Sequence, residues 1–153
     1  MIRRSDFQRW ATIMESQELE TWVAGERKKV LEYLTTQGVE RPNVGDWPAF
    51  EVAPCFAIWA VESKKAPGRI GWWAFSGDCP TDYVSEDGKC HPRNALKILL
   101  GQWLSYIPHM KKGKHPPGTT FGSARDLAQL GELLEKRAAL LSKWLADDSL
   151  WAG

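Results

Sequence analysis

The sequence lacks both a long hydrophobic run and a strong net charge. No stretch approaches the roughly 18 apolar residues that a membrane-spanning helix requires, and the opening residues MIRRSDFQRW lack the apolar core of a signal peptide. The chain has 20 basic and 19 acidic residues, so its overall charge does not attract nucleic acid or an anionic membrane. We therefore expect a cytoplasmic protein that has no membrane partner and is poorly suited to bind nucleic acid.

Cysteine is scarce, with Cys55, Cys79 and Cys90 as its three occurrences. An odd number cannot close into a disulfide framework, and a reducing compartment is the simpler interpretation. Structural zinc needs four ligands, usually in two close pairs. The adjacent Cys90 and His91 form one such pair and Cys79 stands alone. The sequence therefore predicts neither a metal site nor a cofactor.

Tryptophan, in contrast, is abundant, with nine residues in a chain of 153. The length fits one domain spanning residues 1–153, and the 43% of hydrophobic residues is ordinary for a folded protein. Most of the indoles are expected to fill the core. Tryptophan is also enriched at binding hot spots, because it combines a large apolar area with an N–H donor.

Two helices are predicted in the first quarter of the chain. Residues 1–15 carry apolar side chains at helical spacing, which indicates a short docked helix. Residues 17–37 place Leu, Trp, Val and Tyr on one face and charged side chains on the other, which is typical of an amphipathic helix. Ser16 suits its N-cap and Gly38 suits the position after its last turn.

Two further helices are predicted in the second half. Residues 92–107 form a nearly continuous apolar stripe, with Pro92 suited to the first turn and Pro108 expected to end the helix. Residues 123–146 continue at helical spacing after a capping box made by Ser123 and Asp126.

A β-hairpin is predicted from two apolar runs, residues 56–61 and 70–75, which a short Pro-Gly loop joins. Both runs carry apolar side chains at odd and at even positions, and therefore on both faces of each strand. A strand with one face exposed to solvent would instead alternate apolar with polar residues. A third short strand is expected near 82–84. The predicted fold is α+β, with a small antiparallel sheet of two to three strands packed against three main helices.

The adjacent Trp72 and Trp73 must point to opposite faces of their strand. If helices cover one face alone, the other face presents an aromatic patch of the kind that marks a binding surface. In this interpretation Trp59, Trp72, Trp73 and Phe75 contact a partner. The alternative is that both faces are covered and all four side chains are buried.

The hairpin is followed by a polar loop that gathers acids, cysteine and histidine. Its carboxylates are candidates for acid–base chemistry or a hard cation, and a Cys79 thiolate with His91 as its base is a second possibility. The alternative is turn chemistry, in which the carboxylates accept hydrogen bonds from backbone N–H groups. The basic segment 111–118 is a candidate phosphate contact, although it lacks the Gly-rich pattern of a phosphate cradle and a solvated charged loop is the favoured explanation. The candidate residues of the polar loop are Asp78, Cys79, Asp82, Asp87 and His91.

The chain also resembles an uncharacterised family of small bacterial cytoplasmic proteins. The resemblance rests on the Ala57-Ile58-Trp59 strand, on the Gly-Asp-x-Pro-Thr-Asp element within Gly77–Tyr83, and on the helix from Asn94 to Trp103. It implies a bacterial single domain and brings no catalytic residue with it.

Two functions remain as hypotheses. The first is a non-enzymatic binding module that holds or occludes a protein partner, such as an immunity protein that neutralises a toxin. It is favoured by the aromatic surplus and by the lack of a strong catalytic signature. The alternative is a small enzyme or ligand-binding protein that uses the loop from Asp78 to His91.

Overall fold

The protein folds into one antiparallel sheet with helices on both of its faces. The computed structural model describes residues 4–119, 121 and 126–152, with side chains from residue 16 onward. This confirms the α+β class, but the sheet has four strands where the sequence predicted two to three. The elements are α1 (Arg4–Thr36), β1 (Phe50–Val52), β2 (Phe56–Glu62), β3 (Ile70–Gly77), β4 (Asp82–Ser85), α2 (Pro92–Lys111), α3 (Leu127–Ala146) and α4 (Asp148–Trp151).

The strands follow the order β1-β2-β3-β4, and every neighbouring pair is antiparallel. The predicted β2–β3 hairpin and the short third strand, β4, are both confirmed. The missed strand is β1, which pairs Phe50 with Ile58. It contains three residues between Pro48 and Pro54, too few for an alternating pattern to be recognised.

The two faces of the sheet are buried in different clusters. Phe56, Ile58, Trp73 and Phe75 pack against α2 and α3, together with side chains such as that of Leu96. Ala57, Trp59, Val61 and Ala74 on the other face pack against α1, where Val30 and Leu34 are fully buried. The sheet is therefore covered on both sides, which explains why its central strands are apolar on both parities.

The first helix differs from the prediction at its start. One continuous helix, α1, runs from Arg4 to Thr36, so the described residues 4–15 of the predicted short helix belong to it, and Ser16 is an interior residue rather than an N-cap. The end agrees with the prediction. Gly38 has φ of 88°, and the N–H of Val39 donates to the carbonyl oxygen of Leu34 at 3.0 Å, as in a Schellman motif.

The second helix does not end at Pro108 but continues to Lys111. A proline inside a helix leaves the carbonyl oxygen four residues earlier without its donor. Here that residue is Leu104, which is 56% exposed, so water can hydrate the freed oxygen. Pro92 lies in the first turn as predicted.

The third helix begins at Leu127, and its N-cap Asp126 accepts a hydrogen bond from the N–H of Gln129 at 3.0 Å. The predicted partner in the capping box, Ser123, lies outside the described residues. Within the described part of the chain, every helix is too short or too polar to cross a membrane.

Candidate functional site

The predicted polar loop does not form one site, because its members face different neighbours. Asp78 pairs with Arg137 at 2.8 Å on the surface. Asp87 accepts from the side chain of Asn94 at 2.6 Å and from a backbone N–H. His91 is the N-cap of α2, and its Nδ1 accepts a hydrogen bond from the backbone N–H of Arg93. These three residues therefore have structural roles, of the kind that the turn-chemistry alternative describes.

Cys79 is not placed as a nucleophile. Burial raises the pKa of its thiol to about 12, an effect that Lys29 opposes and Glu26 reinforces. The thiol is therefore protonated at neutral pH, whereas nucleophilic attack needs the thiolate. His91 acts instead as a helix cap, and the charges that affect the Cys79 thiol come from other residues.

The predicted open aromatic face is not formed. Trp59, Trp73 and Phe75 are buried, with at most 2% of their surface exposed, because α1 covers one face of the sheet and α2 and α3 cover the other. Trp72 is half-buried and packs against the cluster under α1. Three of these four residues thus offer no surface to a partner in this fold.

A cleft of about 660 Å³ lies along β4, and we call it the β4 cleft. One wall comes from α1 and the opposite wall from α2 and the segment after it. All three tyrosines of the chain line it. The lining residues are Tyr33, Gln37, Pro80, Thr81, Asp82, Tyr83, Val84, Ser85, Gln102, Tyr106, Thr119 and Phe121.

Asp82 lines the β4 cleft, and this residue is 7% exposed. Its Oδ2 accepts a hydrogen bond from Nε1 of the buried Trp103 at 2.9 Å, and its Oδ1 accepts one from the N–H of Tyr83 at 2.8 Å. The hydroxyl of Tyr33 lies near enough to this side chain to lower its pKa. Donors from β4 and from α2 therefore hold the carboxyl group in one position.

The environment of Asp82 makes its carboxyl group a weaker acid than an exposed aspartate. Burial raises the pKa of the carboxyl group, and the hydrogen bonds from Trp103 and Tyr83 and the nearby hydroxyl of Tyr33 oppose that rise without cancelling it. In turn, burial and the nearby Asp82 charge raise the pKa values of Tyr33 and Tyr106. Both tyrosine hydroxyls are therefore protonated at neutral pH, as hydrogen-bond donors.

Two aromatic pairs flank the β4 cleft. Tyr33 and Tyr83 meet edge to face, with ring centroids 6.1 Å apart. Tyr106 and Phe121 lie on the other wall, with centroids 5.3 Å apart. Aromatic walls, a few convergent polar groups and an ionisable residue with a shifted pKa are the usual marks of a ligand site.

The chemistry available in the β4 cleft is binding and proton exchange. A carboxyl group with a raised pKa can hold or release a proton, and the hydroxyl and amide groups around it can orient a polar molecule. Among the described residues no group of three or more His, Cys, Asp and Glu side chains is arranged to hold a metal ion.

Sequence reasoning found Asp82 and its neighbours in the Gly77–Tyr83 loop but missed the residues that α1 and α2 contribute. Tyr33, Gln102 and Tyr106 lie within the predicted helices, and nothing in local spacing brings those helices to the same strand edge. One signal was present. The chain has nine tryptophans but three tyrosines, and each tyrosine adds a polar hydroxyl group that a purely apolar core does not need. All three tyrosines line the β4 cleft.

The comparisons with known proteins give one match. The family described as "Domain of unknown function (DUF4826)" matches residues 15–151. This agrees with the expected uncharacterised family. No curated protein and no solved structure matches the chain.

Proposed function

Since the chain belongs to the DUF4826 family, a domain of unknown function, we propose its function from its structure: it binds a small polar molecule in the β4 cleft. This is the ligand-binding form of the alternative hypothesis from the sequence. It is moved from the whole Asp78–His91 loop to Asp82 and the residues that surround it.

The observation that carries the proposal is the position of Asp82. A buried carboxyl group that serves structure alone is expected to be enclosed by its hydrogen-bond or ion-pair partners. Asp82 instead lines a concavity of about 660 Å³, which is within the range of roughly 300–1,000 Å³ found for ligand pockets. Tyr33, Tyr106 and Gln102 extend polar groups around the same space.

The test is a titration of the labelled protein with a library of polar metabolites, followed by amide correlation spectroscopy. At least one compound should shift resonances that are confined to residues 80–85 and to the facing turn of α2. Gln102→Ala should weaken the affinity for that compound about tenfold, since it removes one oriented hydrogen-bonding group. Gln129→Ala, an exposed glutamine on α3, is the matched control and should bind normally. Shifts located elsewhere on the protein, or no shifts at all, would refute the proposal.

A protein partner is the second candidate, and one observation favours it. The β4 cleft runs along the whole of β4, an edge strand that pairs on one side with β3. The free side of an edge strand can bind an extended segment of another protein. A partner such as a toxin would then bind at this edge rather than on the buried aromatic face.

A proline in β4 separates the two candidates. The N–H of Glu86 bonds to the carbonyl oxygen of Gly71 in the neighbouring strand, so by alternation the N–H of Ser85 points away from β3. Ser85→Pro removes that outward donor. It should abolish the capture of a partner segment, whereas a small molecule that binds at Asp82 should lose much less affinity, because Ser85 lies at the opposite end of β4. Capture that survives this substitution would exclude pairing with β4.

A bacterial cytoplasmic setting belongs to the same proposal. It is supported by the resemblance of the Gly77–Tyr83 loop to small bacterial proteins and by the odd number of cysteines, which cannot all pair in disulfides. Locating the tagged protein by cell fractionation of its host tests it.

A further inference from the structure

The β4 cleft has one formal charge among its described lining residues, and that charge is negative. Of the residues that line it, Asp82 is the one acidic side chain, and the described lining includes no Lys, Arg or His. The other polar groups are amides and hydroxyls. A ligand with a negative charge would meet Asp82 without a described cation to balance it, whereas a ligand with a positive charge would supply the missing counter-charge.

The hydrogen-bonding capacity of Asp82 leaves room for one more donor. An ionised carboxylate offers about four acceptor positions. The indole of Trp103 and the N–H of Tyr83 occupy two of them, and the hydroxyl of Tyr33 lies close to the same side chain. Because Asp82 also lines the cleft, an acceptor position remains for a donor group of a ligand.

The walls of the β4 cleft also suit a cation. The Tyr33–Tyr83 and Tyr106–Phe121 pairs place aromatic rings on both sides of the carboxyl group. Aromatic ring faces carry partial negative charge and attract ammonium groups, and several rings around one space form the cage by which alkylammonium ligands are recognised. Gln37, Gln102 and the nearby hydroxyl groups can accept hydrogen bonds from an amine.

We propose that the ligand of the β4 cleft is an organic cation, an alkylamine in its ammonium form, which pairs with Asp82 and lies between the two aromatic pairs. This inference rests on the proposed function and specifies its ligand class. No covalent step is involved.

The test uses three probes that share a four-carbon chain and differ in charge: n-butylammonium, n-butanol and butyrate. Each is titrated into the intact protein at constant ionic strength and neutral pH, and amide resonances of residues 80–85 report binding. Butylammonium should bind at least tenfold more tightly than either of the others. Asp82→Asn should reduce its affinity to that of butanol, whereas Tyr106→Phe, which keeps the ring, should reduce it less than threefold.

The outcomes separate this inference from the proposed function. If butanol or butyrate shifts the same resonances as strongly as butylammonium does, the cation inference is overturned while the β4 cleft remains a binding site. The same holds if metabolites from the library bind in the cleft and butylammonium does not. If Asp82→Asn unfolds the protein, Gln102→Ala and Tyr106→Phe keep the comparison of the three probes available, and equal affinities in those variants would refute the inference.

Discussion

Glu26 and Asp82 are two acidic residues that are almost equally buried, at 8% and 7% exposure, but their surroundings differ. Both oxygens of Asp82 accept hydrogen bonds from fixed donors. Glu26 has one oxygen 3.0 Å from Nζ of Lys29, and its Oε2 has no partner among the described residues. Burial alone therefore does not mark a functional carboxylate; the donors aimed at it and the space beside it do.

The difference also reverses the expected energetics of the two residues. A buried polar group that is fully hydrogen-bonded is costly to disrupt, because each partner left behind loses its bond in a place that water cannot reach. A buried carboxylate with an unpaired oxygen already bears that cost in the folded state. Substitutions around Asp82 should consequently destabilise the protein, whereas replacement of Glu26 should not.

The largest effect is expected at Trp103, whose indole N–H bonds to Asp82. Trp103→Phe leaves Oδ2 without this donor, as Oε2 of Glu26 is now, and also leaves space in the core. We expect the free energy of unfolding to fall by about 2–4 kcal/mol, since a hydrogen bond to a charged group contributes roughly 1.5–3 kcal/mol. Urea denaturation measures it.

The control for Trp103→Phe is Trp59→Phe. Trp59 is also fully buried, and its indole donates to the neutral hydroxyl of Ser76 at 3.1 Å. The same change of ring should cost about 1 kcal/mol less there, because hydrogen bonds between neutral groups are weaker. Equal losses at the two positions would mean that the charge of Asp82 makes no difference.

Much of the fold around these residues follows from the sequence. Trp59, Trp73 and Phe75 lie on both parities of two runs joined by a short loop, and this local pattern was sufficient to predict the hairpin. The pattern left open whether both faces of the sheet are covered. The structure shows that α1 covers the second face. The partner of Asp82 could not be predicted, because Trp103 was one apolar member of a helical stripe and its N–H direction depends on how α2 packs.

The limits of the prediction have the same physical origin. A proline usually ends a helix, and Pro108 was expected to do so. Here the carbonyl group that loses its donor belongs to the exposed Leu104, and the local sequence does not show which residues are exposed. The β4 cleft combines Tyr33, Asp82 and Tyr106, which are separated by more than twenty residues at each step of the chain. Sites of this kind form by packing between elements, whereas the turn contacts of Asp87 and His91 arise from neighbours in sequence.

The second prediction concerns the pH dependence that Asp82 introduces. Burial raises the pKa of its carboxyl group above the ordinary value of 3.8. Folding therefore favours the protonated form, and this contribution to stability is complete below the unfolded-state pKa and is lost as the pH rises through the folded-state pKa. Asp82→Asn lacks this contribution.

Asp82→Asn should lower the free energy of unfolding by about 1–3 kcal/mol, because its amide NH₂ group replaces an oxygen that accepts from Trp103 or Tyr83. The deficit relative to the wild-type protein should be larger near about pH 4 than near about pH 7. Urea denaturation at the two pH values measures it. A deficit that grows with pH would show that the ionised form of Asp82 is the one that folding favours.

The third prediction concerns Glu26, the buried carboxylate with an unpaired oxygen. Glu26→Leu removes the unpaired oxygen and adds an apolar side chain on the face of α1 where Val23 and Val30 are buried. The Lys29 pair that it breaks is partly exposed and is worth about 0–1 kcal/mol. We expect the free energy of unfolding to stay within about 1 kcal/mol of the wild-type value or to rise.

Glu32→Leu, at an exposed position on the same helix, controls for the change in helix propensity. If the free energy of unfolding of Glu26→Leu falls by more than about 2 kcal/mol relative to this control, then Oε2 has a hydrogen-bond partner in solution, because removing an unpaired oxygen breaks no hydrogen bond. The contrast with Asp82 would then fail.

The smallest effect is expected on the thiol of Cys79, where the charge of Glu26 can be detected directly. Glu26 raises the pKa of this thiol and Lys29 lowers it, while Asp82 is not among the charges that affect it. In a Cys55→Ser, Cys90→Ser background, Glu26→Gln should therefore increase the rate of alkylation by iodoacetamide at alkaline pH, because the thiolate fraction rises. Lys29→Gln should decrease the rate, and Glu32→Gln, at an exposed position on the same helix, should leave it unchanged. The opposite signs exclude a general loosening of the fold, which would accelerate the reaction in every variant. If Glu32→Gln accelerates it as much as Glu26→Gln does, the acceleration does not come from the charge of Glu26.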